Sequence, residues 1–309
     1  MNRRLPYRPE IDGLRAIAVL LVIFHHIGDW FGLVGGYVGV DVFFVISGYL
    51  ITGIVKGEIE AGEFSIGRFY KRRIVRLAPA YFLVLAATTV AAIVWMLPAE
   101  LLRYARSALA STFFVANVEM WRGVGGYFGS GAATTPLLHL WSLAVEEQFY
   151  VFWPLLLLLA SRMLGQRWLL PLVALGLISG IVISEWGVRN YPSAAYYLLP
   201  TRYFELMAGA ALAFLPAPSI VRAKRLLPFL GIAMIVLAAC RYTGKTGFPG
   251  IAGLLPVGGA VLLIRYASAS SEPVGRVLAH RVAVWTGRVS YPAYLWHWPI
   301  VAFLYLLDV

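Results

Sequence analysis

Two adjacent histidines, His25 and His26, close an apolar run from Leu14 to Phe31 that also holds Arg15. In a water-poor site a histidine can take a proton from a hydroxyl near neutral pH, because its ordinary pKa is about 6.5. On a helix, residues eleven apart are separated by three turns plus about 20°, so Arg15 and His26 share a face, about 16 Å apart along the axis. His25 points about 80° away from that face. Asp29, four residues further on, could pair with it. The competing reading is an interfacial histidine at a helix end.

Three more groups of polar residues interrupt apolar sequence. Arg72, Arg73 and Arg76 lie in a basic segment beginning at Arg68. Arg73 and Arg76 are one helical turn apart and can converge on one anion, since guanidinium forks match phosphate geometry. Basic residues beside a membrane also fix topology and bind anionic lipid, so both readings stand. His139, Ser142 and Glu146 fall at i, i+3 and i+7, one stripe of a helix, with Glu146 about 10 Å below His139. An acidic group at that depth would orient an imidazole, or it could face water near a helix start. Asp41 stands at the start of a further run, where Gly39 and Gly48 permit close helix approach. Ser47 in that run is expected to bond its own backbone rather than act as a nucleophile.

The elements that must hold these groups are helices in lipid. The sequence is 60% hydrophobic and 13% charged, with a mean hydropathy of +0.76, whereas soluble domains carry about 25% charged residues. The net charge of +11 is spread in short bursts between apolar runs, which argues against a nucleic-acid partner. Nine runs are about long enough to span a bilayer, roughly 14–31, 37–55, 77–97, 137–160, 168–186, 196–215, 227–241, 249–266 and 289–307. The expected fold is therefore all-α, a polytopic membrane bundle of about nine transmembrane helices. Alternate loops carry 18 and 6 lysines and arginines, a bias that places the N-terminus in the cytoplasm. The segment 98–136 holds Arg103, Arg106 and Asn117, costly at bilayer depth, and is read as external or re-entrant. The first run lacks a small-residue cleavage site and is read as a retained helix. Cys240, the single cysteine, is expected as a buried core residue; it allows no intrachain disulfide, and no metal site is expected.

Five segments, in order, resemble the acyltransferase 3 family of bacterial membrane proteins. They are Tyr7-Arg-Pro-Glu-Ile-Asp12-Gly-Leu-Arg15, Gly36-Tyr-Val-Gly-Val-Asp41-Val-Phe-Phe-Val-Ile-Ser47-Gly, and Phe69-Tyr-Lys-Arg-Arg73-Ile-Val-Arg76-Leu-Ala-Pro79. Leu138-His139-Leu-Trp-Ser142-Leu-Ala-Val-Glu146 and Ser290-Tyr-Pro-Ala-Tyr-Leu-Trp-His297-Trp-Pro complete the set. The resemblance implies a bacterial inner-membrane enzyme that takes an acyl group, commonly acetyl, from cytoplasmic acyl-CoA. That co-substrate is not permanently bound. The implied acceptor is a hydroxyl on an envelope glycan or lipid-linked sugar.

The resemblance also assigns roles. His26 fills the place of the family histidine eleven residues after the arginine, with His25 as its alternative. Arg73 and Arg76, with Arg72 beside them, would meet the donor's phosphates. Arg15 and Glu146 would hold the geometry and charge of His26, while Asp41, His139 and Ser142 would serve the substrate. Residues 1–309 are read as one transmembrane acyltransferase domain; because further sequence usually follows such an ending, C-terminal truncation stays open. The rival reading is a transporter or flippase for a lipid-linked sugar, which would use buried Arg, His and Glu equally well.

Overall fold

A computed structural model describes residues 6–28, 32–123, 127, 131–216, 226–270 and 272–307. Among these residues the chain forms helices and no strands. In order they are α1 (Pro9–Ile27), α2 (Gly39–Glu60), α3 (Ile66–Trp95), α4 (Pro98–Thr112), α5 (Ala116–Gly123), α6 (Leu140–Met163) and α7 (Leu169–Asn190). There follow α8 (Pro192–Tyr197), α9 (Leu199–Leu212), α10 (Leu227–Arg241), α11 (Leu254–Tyr266), α12 (Pro273–Leu278), α13 (Arg281–Arg288) and α14 (Ser290–Leu306). Every one of the nine expected spans contains a helix. Four stretches, built on α2, α3, α6 and α7, are long and apolar enough to cross a membrane, whereas α10 and α11 are shorter apolar helices.

Burial separates the centre of the bundle from its rim. In the apolar window of α2, 78% of residues are buried inside the protein, against 22% in α3 and in α7. Helix α2 packs on α1, α6, α9 and α11, and the contact with α9 is backbone to backbone. A Cβ added at Gly48 would lie 1.9 Å from the Leu206 carbonyl oxygen, and one at Gly209 would lie 1.9 Å from that of Val45. Small residues thus let two helices touch where lipid supplies no hydrophobic drive for association.

On the rim, Phe82, Leu83, Val90 and Ile93 of α3 are exposed, as are Leu175, Ile178 and Val182 of α7. A continuous apolar belt of this kind needs lipid to cover it. This is a multi-pass membrane protein. The same physics corrects one expectation: Cys240 is exposed rather than buried, because an apolar residue on a membrane helix can face lipid as readily as protein.

The stretch 101–118 does not run through as a single span. Helix α4 ends at Thr112, Phe114 takes a left-handed backbone conformation (φ 57°), and α5 begins at Ala116. This break returns the chain toward α6, against which α5 packs. The pair therefore forms a short helical hairpin beside the bundle.

Candidate active site

The end of α1 carries His26 into a cluster of rings. His26 Nδ1 lies 3.0 Å from His297 Nε2, and His26 Nε2 lies 2.6 Å from the Tyr127 hydroxyl. The edge of Trp298 meets the His26 ring, with centroids 4.5 Å apart. His297 Nδ1 is in turn bonded to the Tyr294 carbonyl oxygen. A carbonyl only accepts, so that contact fixes every proton in the chain when the imidazoles are neutral. Nδ1 of His297 donates to Tyr294, leaving its Nε2 to accept. His26 Nδ1 must then donate to His297, and His26 Nε2 presents its lone pair to the hydroxyl of Tyr127. His26 is thus oriented through one nitrogen and basic at the other, as a general base facing a hydroxyl must be.

Two other histidines flank this relay. The His139 ring centroid lies 5.5 Å from that of His297, and among the described residues both His139 ring nitrogens are buried with no partner at hydrogen-bond geometry. His25 packs edge-on to Tyr37, 5.5 Å between centroids, and its ring sits 5.1 Å from that of His26. The Asp29 pairing expected for it lies outside the described residues.

Toward the N-terminal end of α1 a second region opens. A cavity of about 460 Å³ is bounded by Arg15, Arg72, Arg73, Arg76 and Glu146, with apolar walls from α2 such as Phe43, Leu50 and Ile54. Arg15, Arg72 and Arg76 also border an adjoining cavity of about 540 Å³. The α3 arginines are on hand because Ser65 caps the helix start, accepting from the Arg68 amide, and sets the register of the first turns. The Arg73 guanidinium lies 3.6 Å from the centroid of the Tyr150 ring and 3.5 Å from the Glu147 carboxylate. These contacts hold it in one orientation, and among the described residues Nε has no hydrogen-bond partner. Arg72 is tied to Glu58 at 2.7 Å, a shorter ion pair than that of Arg73 with Glu147.

Glu146 does not reach His26. Its carboxylate accepts from Ser47 at 2.8 Å and from Tyr150 at 3.2 Å. The helical stripe is real, but α6 presents its Glu146 level to α2 and α3, and the side chain that meets His26 Nδ1 is His297. Arg15 likewise lines the arginine cavity, as its 16 Å offset from His26 requires. Ser47 departs from its expected backbone bonding, since it bridges Tyr150 and Glu146. Ser142 and Tyr294 border the arginine cavity and their hydroxyls lie 2.6 Å apart. Tyr294 is the residue whose carbonyl anchors His297, so the two regions share a wall.

Asp41 is fully buried and bonds Arg202 at 3.1 Å, while Arg202 also bonds Glu205 at 2.7 Å. Neither Asp41 nor Arg202 lines the arginine cavity. The geometry joins Asp41 on α2 to Arg202 and Glu205 on α9.

A family model described as an acyltransferase domain matches residues 8–308. The chain belongs to this acyltransferase family. It is 34% identical to peptidoglycan O-acetyltransferase OatA of Listeria monocytogenes, over 96% of this chain and 49% of the relative. It is 36% identical to the putative peptidoglycan O-acetyltransferase YrhL of Bacillus subtilis, with the same shares covered. A putative O-acetyltransferase of Staphylococcus aureus is 31% identical over 98% of this chain and 52% of its own length. The chain thus spans about half the length of the curated relatives it matches. No solved structure matches it.

The residues that sequence reasoning left without a role are His297, Tyr127, Tyr294, Tyr150 and the Arg202–Glu205 pair. His297 was visible inside a matched segment, and Arg202 as a charge within an apolar run with Glu205 one turn on. Tyr127 carried no signal, because its contact with His26 spans 101 residues of chain.

Proposed function

We propose that this acyltransferase moves an acyl group, in the first place acetyl, from acyl-CoA to a hydroxyl of a bacterial envelope glycan. Peptidoglycan is the acceptor suggested by the names of two relatives. The observation that carries the reading is the proton chain ending at His26 Nε2, a lone pair aimed at a hydroxyl 2.6 Å away. A sugar hydroxyl in the place of the Tyr127 hydroxyl would be positioned to lose its proton to His26.

In this reading the donor enters from the cytoplasm, and the α3 end of the bundle faces that side. Its phosphates meet Arg73 and Arg76, and its apolar arm lies along the α2 wall. The acceptor oxygen attacks the thioester carbonyl, a C–O bond forms and the C–S bond breaks. The hydroxyl proton passes to His26 Nε2 and then to the departing thiolate of CoA. His297 keeps the His26 ring in the required tautomer throughout.

The test is transfer of isotope-labelled acetyl from acetyl-CoA to peptidoglycan fragments by the protein in lipid nanodiscs. A labelled, alkali-labile ester on the glycan is expected. Consumption of no acetyl-CoA, or movement of a lipid-linked sugar with its covalent structure unchanged, would replace this reading with transport.

A further inference from the structure

A third cavity, about 360 Å³, lies between α4, α5 and the segment 131–137. We infer that it is the acceptor subsite, taking a neutral, hydroxyl- and amide-bearing sugar unit of the glycan; the inference rests on the acyltransferase reading and goes beyond it by giving the acceptor a place. Its volume is at the low end of ligand sites, about 300–1,000 Å³, so it suits a sugar unit or two rather than a polymer.

Charge distinguishes it from the donor cavity. The arginine cavity sets Arg15, Arg72, Arg73 and Arg76 against the single carboxylate of Glu146. The third cavity sets Glu100 and Glu119 against Arg103, with the hydroxyls of Ser107, Thr134 and Thr135 around them. Two carboxylates repel the polyphosphate of a CoA ester but accept hydrogen bonds from hydroxyl and amide N–H groups. Glu100 is partly engaged, its side chain accepting from the Leu97 amide at 3.0 Å. Among the described residues, the side chains of Arg103, Glu119 and Thr134 have no hydrogen-bond or ion-pair partner.

Its position relative to His26 completes the argument. The Thr135 carbonyl accepts from the indole N–H of Trp298 at 2.8 Å, and that indole edge touches the His26 ring. Gly123 and Gly131 both border the cavity, and Tyr127, between them in sequence, is the residue whose hydroxyl meets His26 Nε2. Thr135 of the cavity is thus linked to the base through the Trp298 ring, and Arg15, Arg72, Arg73 and Arg76 do not line it.

The test is direct binding of tetra-N-acetylchitotetraose to the full chain in lipid nanodiscs, by calorimetry, with acetyl-CoA titrated in parallel. Thr134 is exposed, so Thr134→Trp fills the cavity without disturbing the core; Glu119→Gln removes one carboxylate and keeps its shape. Neither residue belongs to the donor site or the proton chain. Thr134→Trp and Glu119→Gln are each expected to raise the Kd for the oligosaccharide about tenfold, with the Kd for acetyl-CoA unchanged within about twofold. Oligosaccharide affinity unchanged in both variants, or absent in the unmodified protein up to millimolar concentration, overturns the subsite. Should Thr134→Trp lose acetyl-CoA binding as well, Glu119→Gln alone decides, and unchanged affinity there overturns it. Oligosaccharide binding sensitive to both substitutions in a protein that never binds acetyl-CoA would leave this subsite standing and remove the donor assignment instead.

Discussion

His26 owes its basic nitrogen to a partner that sequence inspection passes over. Because the Tyr294 carbonyl can only accept, His297 must donate from Nδ1, and the order of protons propagates to His26 Nε2. His26→Ala is expected to lower acetyl transfer by about 10²–10⁴-fold, the usual contribution of a general base. His297→Ala should cost about a hundredfold through loss of ring orientation and alter the pH–rate profile. His297→Gln, whose amide oxygen can accept the same bond, should recover part of the rate; equal losses in both variants would show that His297 only fills space. At the other region, Arg73→Ala removes charge-assisted bonds of about 1.5–3 kcal/mol. The KM for acetyl-CoA should therefore rise about 10–100-fold with kcat little changed. Tyr150→Leu, which removes the ring under Arg73, should raise it by only a few fold. A fall in kcat at constant KM would mean that Arg73 does not bind the donor.

Helices α2 and α9 are joined by two devices of opposite chemistry. Gly48 and Gly209 bring the backbones together, and Arg202 between Asp41 and Glu205 locks their register. Removing one member of a buried ion cluster leaves charge without compensation, whereas neutralising the whole cluster does not. Arg202→Leu is accordingly expected to destabilise the protein by about 3–5 kcal/mol, read as a lower midpoint of thermal unfolding in detergent. Adding Asp41→Asn and Glu205→Gln should restore much of that loss; a triple variant no more stable than Arg202→Leu would argue that Arg202 acts through its packing against Trp141 and Tyr196. The Arg202 guanidinium also lies 5.1 Å from the centroid of Tyr196, which stacks on Tyr127 at 4.5 Å. The α2–α9 joint therefore supports the wall of the histidine cluster.

For the whole molecule, the arginine cavity and the histidine cluster sit toward opposite ends of α1, and the proposed reaction requires a defined orientation in the membrane. In the proposed reading the lysine and arginine bias puts the α3 arginines on the cytoplasmic side. In a Cys240→Ala background, Lys71→Cys should react with a membrane-impermeant maleimide only after the cells are opened, and Thr134→Cys should react in intact spheroplasts. The reverse pattern would place the arginine cavity outside and remove cytoplasmic acyl-CoA as the donor.

Hydrophobic run lengths and their punctuation were enough to establish the helical membrane architecture: each of the nine expected spans contains a helix, four of them in stretches long and apolar enough to cross a membrane. The five matched segments led to the family, and the i, i+3 spacing put Arg73 and Arg76 on one cavity. The i, i+11 spacing gave Arg15 and His26 a common face and an offset of about 16 Å, yet Arg15, expected to support His26, lines the arginine cavity instead. Those are local facts, set by a fixed rise and rotation per residue. Which faces meet is not local. That Glu146 turns to Ser47 while His297 turns to His26, that Asp41 is sealed by Arg202, and that Cys240 looks outward were decided by helix packing across as many as 271 residues of chain. In lipid both faces of a helix are apolar, so the hydropathy pattern that locates a span carries little information about its rotation.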